Sequence, residues 1–489
     1  MAIAKERTRR LTLAVGIAII SIAGIRVAGC SRRDSPVTGA QPTTLRIGQG
    51  FDAGARMQPV VQILTQEGLL SATSDGRPGP RLAKSWAVSD DGLTWNFELP
   101  PGAVFHDGTP VTAQVVRDVL AQDLPAALGP SFQNIQSIDS VSPTEFSIAL
   151  RHRSMFLPEA LALNVPIHHG DSGTGPFTLS TVQGNSAEFR ANDHYYLGRP
   201  LIDRILIEPY NSVRAAWADM LRGRVDMVYE IGVDAFDSVK PATETRLFTY
   251  RRPYSFVILL NLRKPLIRDR HFRRALNNAI DREKLVADTL GGHGRSSDGP
   301  IWPDHWAYDD TLPRFRYEPE TLGATRNSLT FTCLYSDPSY EPLAIFVQQE
   351  LRAIGVEMRL EFASVADGMA RAQAGDFDAW LADVNLAPNF FRQSLFWQSH
   401  SPLNWGHYES AEADAALDAI DRARDDAEYK QGVRVFQQAL IDDPPAIFLA
   451  WSERLRAVST RFEVHEEPGR DILNTLRLWR PAATSAAHN

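Results

Sequence analysis

The sequence predicts an α/β protein in which mixed sheets covered by helices form two lobes. Two separate blocks of alternating strand and helix predict this, together with a chain too long for one core. In the first block, Arg204 to Glu208 reads as strand, Ser212 to Leu221 as a helix stopped by Gly223, and Val225 to Tyr229 as strand. In the second, Leu329 to Tyr335 reads as strand, Tyr340 to Ile354 as a helix closed by Gly355, and Val356 to Phe362 as strand. A helix from Val365 to Ala374, closed by Gly375, and a strand from Phe377 to Val384 follow. Such alternation argues for parallel or mixed sheets with helices packed on them. With 489 residues and 44% hydrophobic content, the chain exceeds what a single core usually holds.

Ahead of these blocks stands a segment of another kind. Lys5, Arg7, Arg9 and Arg10 give a basic start, and Leu11 to Ile25 follows as an uncharged, largely apolar run. That run falls short of the roughly 20 residues a membrane-spanning helix needs, so residues 1–29 read as a secretory signal peptide. Val27-Ala28-Gly29-Cys30 resembles the lipobox of bacterial lipoproteins, which makes Cys30 the expected lipidation site and an anchor to the membrane. Thr8-Arg9-Arg10 leaves both the general and the twin-arginine export routes open. Residues 30–43, rich in Ser, Arg, Pro, Thr and Gly, read as a tether between lipid and fold.

Removing residues 1–29 lowers the net charge from −8 to about −12. A surface this acidic argues against nucleic acid as a partner, since phosphate binding needs clustered Lys and Arg. The chain has 2 cysteines, Cys30 and Cys333. Acylation of the first leaves no intramolecular disulfide, and Cys333 reads as a buried strand residue.

Order is expected from a short strand at Thr44 to Gly48, followed by a helix from Pro59 to Leu70. Leu93 to Leu99 alternates strictly between apolar and polar residues, the mark of a half-buried strand. Thr109-Pro110 reads as the start of a helix, with Thr109 as N-cap. Ile135 to Val141 and Glu145 to Leu150 flank Ser142-Pro143-Thr144 as a hairpin. This stretch has antiparallel character, and the pattern changes near residue 172. Later, a long helix from Ala427 to Ile441 stops before Pro444-Pro445, and Ala446 to Trp451 returns as strand.

Leu82-Ala83-Lys84-Ser85-Trp86, Asp91-Gly92-Leu93-Thr94-Trp95-Asn96-Phe97 and Phe105-His106-Asp107-Gly108-Thr109-Pro110 together resemble the extracellular solute-binding proteins of family 5. Gly173-Thr174-Gly175-Pro176-Phe177, Gly223-Arg224-Val225-Asp226, Phe272-Arg273-Arg274-Ala275-Leu276 and Ala279-Ile280-Asp281-Arg282 follow in the family's order. The resemblance implies the large form of the two-lobed, type II periplasmic-binding-protein fold. Lobe I would comprise 44–70, 172–252 and 456–489, with 71–171 as its extra subdomain. Lobe II would be 253–455, and crossing segments near 250 and 455 would form a hinge.

It also implies a function without bond chemistry, namely capture of a short peptide or peptide-like solute between the lobes and delivery to an ABC permease and its ATPase. A nickel chelate, an opine or an oligosaccharide as ligand, and a sensor role, remain alternatives. The binder is expected to be a monomer without cofactor or bound metal. Trp380-Leu381-Ala382-Asp383-Val384-Asn385 matches the family pattern whose Asp holds the ligand's ammonium. The resemblance therefore nominates Asp383, with Trp380 and Asn385 beside it. It further nominates Trp405, in Asn404-Trp405-Gly406-His407-Tyr408, and Tyr254 and Asn261, which flank a strand expected to pair with extended peptide.

Two motifs point elsewhere and are set aside. Gly170-Asp171-Ser172-Gly173 resembles a serine-protease nucleophile motif, but no matching histidine segment precedes it and the surrounding pattern is not all-β. His168-His169, with His106 or His152, lacks the spacing and carboxylates of a metal site.

Overall fold

Two long strands, Thr245–Leu260 and Ala446–Ser459, pair antiparallel and organise the sheet of the computed structural model. The structure describes residues 42–483 apart from 51–57, 164, 233–234, 237–238, 240–241, 320–328, 387 and 469. The expected signal segment, Cys30 and most of the tether lie outside the described residues. Among the described residues no helix is long and apolar enough to cross a membrane.

On one side of the long pair the sheet continues through Met227–Ile231, Thr44–Gly50, Arg204–Tyr210, Ser186–Ala191 and Phe177–Gln183. On the other side come Ala379–Asn385, Leu329–Tyr335 and Val356–Phe362, and the short Gly294–Ser296 pairs with Ala446–Ser459 off this path, so that 11 strands are joined in all. The two blocks of alternating strand and helix fall one on each side, and the strands within each block are parallel. Ladder register between the long strands shifts between Arg251 and Ser255, where Pro253 has no N–H to donate.

Helix limits follow local chemistry. Ser212 and Ser364 cap their helices by accepting from Ala215 N at 3.2 Å and Asp367 N at 3.1 Å. The helix Val365–Ala374 ends on Gly375, in the left-handed region at φ 71°. The start expected at Thr109 moves. Phe105 to Thr109 closes a tight turn, Phe105 N donating to Thr109 O at 2.8 Å, and the helix Ala113–Leu128 begins after Thr112 as cap.

Burial alternates along the central strands. Ile258, Leu381 and Ile447 pack on one face with Phe331 and Val347, while Val257, Trp380 and Phe448 pack on the other. Cys333 belongs to the first set, fully buried in its strand. The segment expected as a subdomain, 71–171, contains the four-stranded antiparallel sheet Ser85–Val88, Thr94–Glu98, Glu145–Leu150 and Ile135–Ser140, in that order. Its core, including stacked Phe97 and Phe146 with centroids 5.0 Å apart, is continuous with that of Phe390, Trp397, Phe436 and Phe448. The apolar face of 71–171 therefore packs on residues from the 253–455 stretch.

The ordered motifs prove to be structural cross-links. A Cβ on Gly173 or Gly175 would lie 2.0 Å from Thr65 O or 2.5 Å from Leu64 O, so only glycine admits this approach. Asp226 accepts from Arg46 N at 2.9 Å and Arg46 Nε at 2.7 Å, joining two parallel strands. Buried Arg273 donates to Pro444 O and Ile267 O, both at 2.7 Å. Buried Arg282 donates to Ser297 O and Phe448 O, both at 2.8 Å. Each guanidinium satisfies carbonyls that would otherwise be buried without donors.

Glu159, on the helix Phe156–Leu161, sits within the shared core. It accepts from Tyr429 Oη at 2.5 Å and Phe391 N at 2.8 Å. Burial raises its carboxyl from 4.5 to about 7, against the pull of these donors. A raised folded pKa gives stability that is complete below pH 4.5 and lost as pH rises through about 7. Glu159→Gln is therefore expected to remove up to about 3 kcal/mol of this pH dependence. Urea titrations of both proteins at pH 5 and pH 8 test it, and parallel losses in the two would show that Glu159 is not the source.

Candidate ligand-binding site

Where the long strands pass between the two halves of the sheet, a cavity of about 550 Å³ opens beside them. One half contributes Ile63, Tyr229, Glu230 and Asp471, the other Tyr254 and Trp302, and residues 250–253 run along the wall. The volume suits a small ligand. Cavity and crossing strands share a dense set of charges.

Arg252 Nη1 donates to Asp383 Oδ2 at 3.2 Å, and Arg454 Nη2 lies 3.9 Å from the same oxygen. Arg454 Nε is 3.5 Å from Glu230 Oε1, whose other oxygen accepts from Tyr250 Oη at 3.0 Å. Arg456 grips Asp471 through Nε at 2.6 Å and Nη2 at 2.5 Å, and donates to Tyr229 O. The Arg252 guanidinium also lies over the Tyr254 ring, 4.0 Å from its centroid.

Burial raises the Asp383 carboxyl above its ordinary range, with Arg252 and Arg454 pulling it back. For Arg252 the order of effects ends the other way. Burial lowers its pKa, but Asp383 and Glu230 more than compensate and keep it a cation. Burial would also raise Glu230, yet Arg252, Arg456 and Arg454 together hold it below the ordinary value.

Of the residues nominated from sequence, Tyr254 lines the cavity. Asp383 stands behind Arg252, its side chain only 9% exposed, and its Oδ1 is buried without a hydrogen-bond partner among the described residues. Trp380 lies three residues before Asp383 on one strand, and side chains three apart point to opposite faces. Accordingly Trp380 packs in the core on the far side of the sheet, donating to Ser336 Oγ at 3.0 Å. Trp405 packs against it, with centroids 5.8 Å apart.

Asn385 ends the strand opposite Tyr254 in the ladder. Asn261, fully buried at the other end of that ladder, donates through Nδ2 to Gly375 O at 3.0 Å and Phe377 O at 2.8 Å. The six nominated residues thus do not converge on one site. Sequence reasoning passed over Glu230, Arg252, Arg454, Arg456 and Asp471. The available signal was charge interrupting long apolar strands, in Tyr250-Arg251-Arg252-Pro253-Tyr254 and Ser452-Glu453-Arg454-Leu455-Arg456.

Gly170 to Gly173 forms a turn, with His169 and Ser172 exchanging backbone hydrogen bonds at 2.9 and 3.0 Å. His169 pairs with Asp107 and His168 with Asp123. Among the described residues no group of three or more His, Cys, Asp or Glu is placed to hold a metal ion.

A sheet crossed by two long strands, with a charged cavity at the crossing, defines a binding protein of the two-lobed periplasmic class. The chain belongs to the bacterial extracellular solute-binding proteins, family 5, whose model for the middle segment matches residues 77–404. Members of this family bind solutes and are not enzymes. The chain is similar to the probable D,D-dipeptide-binding periplasmic protein DdpA of Escherichia coli K12, with 27% identity over 408 residues, 75% of this chain and 78% of the relative. Its fold is similar to that of the oligopeptide-binding protein AppA of Bacillus subtilis in complex with a nonapeptide. There the TM-score is 0.75 and the identity 20%, over 91% of this chain and 100% of the other. NikZ of Campylobacter jejuni in complex with Ni(L-His) gives a TM-score of 0.76 at 22% identity, over 89% and 99% of the two chains.

The Arg456–Asp471 pair is buried and doubly hydrogen-bonded, so removing one partner strands the other. Asp471→Ala is expected to destabilise the protein by about 3–5 kcal/mol. The double variant Arg456→Met, Asp471→Leu should recover most of that loss. Equilibrium unfolding in urea checks both, and a mild single-variant effect would exclude a buried ionic cross-link.

Proposed function

We propose that this protein is the solute-binding component of an ABC importer and captures short peptides or peptide-like solutes in the cavity beside the crossing strands. The observation carrying this reading is the cavity itself, walled from both halves of the sheet at the place where the chain crosses. The peptide binders among the relatives support the ligand class. Lobe I would be 44–70, 172–252 and 456–489, with 253–455 as lobe II. Residues 71–171, assigned to lobe I by family resemblance, would bridge to lobe II through the shared core. Ligand touching both walls favours a closed form over an open one, because only the closed form makes both sets of contacts.

In this reading the protein works as a monomer. Residues 1–29 direct export, Cys30 carries the lipid, and permease and ATPase subunits receive the ligand.

Native mass spectrometry of protein purified without added ligand, followed by calorimetric titration with short peptides, tests the ligand class. Co-purified short peptides and micromolar affinity, near 8 kcal/mol, are expected. A single co-purified sugar or metal chelate, with no peptide binding at millimolar concentration, would replace the peptide reading. For the anchor, Cys30→Ser is expected to move the exported protein from the membrane fraction to the soluble one. Unchanged fractionation would remove lipidation from the scheme.

A further inference from the structure

The cavity wall carries five arginines, Arg81, Arg251, Arg252, Arg456 and Arg470, against two acids, Glu230 and Asp471. Four of these arginines have carboxylate partners off the cavity wall. Arg81 pairs with Glu67 at 3.5 Å, Arg251 with Asp304 at 2.5 Å, Arg252 with Asp383 at 3.2 Å and Arg470 with Glu467 at 2.7 Å. The wall thus carries more arginines than acids, and most of the compensating carboxylates lie off it.

Asp383 fits this pattern. A carboxylate meant for a ligand ammonium has to be presented on the wall without a cation of its own. Here two arginines of the chain, Arg252 and Arg454, face it, and it does not line the cavity. Arg252 is the more exposed of the two, with 21% of its side chain accessible against 11% for Arg454. Among the described residues its guanidinium donates one hydrogen bond, from Nη1. Tyr254 beneath and Asp383 behind fix its plane, and 21% of the side chain stays accessible. A guanidinium so held suits a planar, two-oxygen anion.

We infer that the cavity selects solutes carrying a carboxylate, that Arg252 is the residue receiving it, and that Asp383 positions Arg252. A free ligand ammonium is not required. This deepens the reading of the cavity as the ligand site and rests on it.

The test compares wild type, Arg252→Lys, and the charge-neutral pair Arg252→Gln, Asp383→Asn, which leaves no buried carboxylate stranded. Circular dichroism first establishes that each is folded. Calorimetry then measures alanyl-alanine, its N-acetyl form and its C-terminal amide, and separately succinate, glutarate and putrescine. In wild type the amide is expected to bind about tenfold or more weakly than the free acid, and N-acetylation to change affinity little. The acid-to-amide ratio should fall to near one in the neutral pair and be partly kept by Arg252→Lys. A merely structural role would lower all affinities together and leave that ratio unchanged.

If dicarboxylates bind through Arg252 and no peptide form does, the inference stands and the peptide reading fails. If peptides bind but acid and amide are equal, or N-acetylation abolishes binding, the inference is overturned and the peptide reading stands. If putrescine alone binds, or none of the six does, both are overturned.

Discussion

Placing charge in the middle of a long sheet is expensive, and the crossing strands of this protein do so repeatedly. Arg454, Arg456 and Asp383 are largely withdrawn from water there, and Arg252, Glu230 and Asp471 partly so. Each ion's desolvation is large enough that an unpaired one would shift its protonation or unfold its surroundings. Hydrogen bonds at 2.5–3.2 Å meet that requirement for Arg456 with Asp471 and for Arg252 with Asp383. The rest follows from satisfying these ions. Tyr229, Glu230 and Tyr250 must meet the guanidiniums from one side and Asp383 from the other, so the two halves of the sheet are referenced to one another at the point where the cavity forms.

Much of the fold was legible because it depends on local signals. The parallel blocks at 204–229 and 329–384 announce themselves by strand and helix of ordinary length separated by glycine stops, and the structure places one on each side of the long pair. Local signals fail where tertiary packing chooses among equivalent starts. Thr109-Pro110 and Thr112 are both acceptable helix beginnings, and the Phe105–Thr109 turn, tied to Gly173 O through His106 N at 3.0 Å, selects the later one. The packing of 71–171 was illegible for a related reason. Its alternating strand at 93–99 declares which residues are inward, but not which distant helix they meet.

The site was harder to read than the fold, and the strand period explains why. Trp380 and Asp383 form a tempting cluster in sequence, yet on a strand their spacing sends them to opposite faces, one into a core and the other to the charged crossing. Asn261 looks like a presented amide but spends its donors on Gly375 O and Phe377 O. Conversely Arg252 and Arg454 lie about 200 residues apart and reach one carboxylate only through the register of three paired strands. No linear motif carries that information. The motifs that mark the family, Asp226, Arg273, Arg282 and the Gly173–Gly175 segment, hold backbone segments together, so they identify the scaffold without naming the ligand.

A charge pair built into the wall changes what a ligand contributes. In an open cleft, an ion offered directly to the ligand must be stripped of water at the moment of binding. Where Asp383 and Tyr254 already fix Arg252, most of that desolvation and ordering has been met during folding, and the incoming group exchanges water for donors already oriented. Specificity then comes from one oriented cation at the crossing strands, while the more open remainder of the cavity tolerates varied side chains through water. Because Arg252 and Glu230 come from different strands of the crossing, a ligand engaging either touches the network that aligns the two halves, which couples recognition to their relative placement through contacts already present.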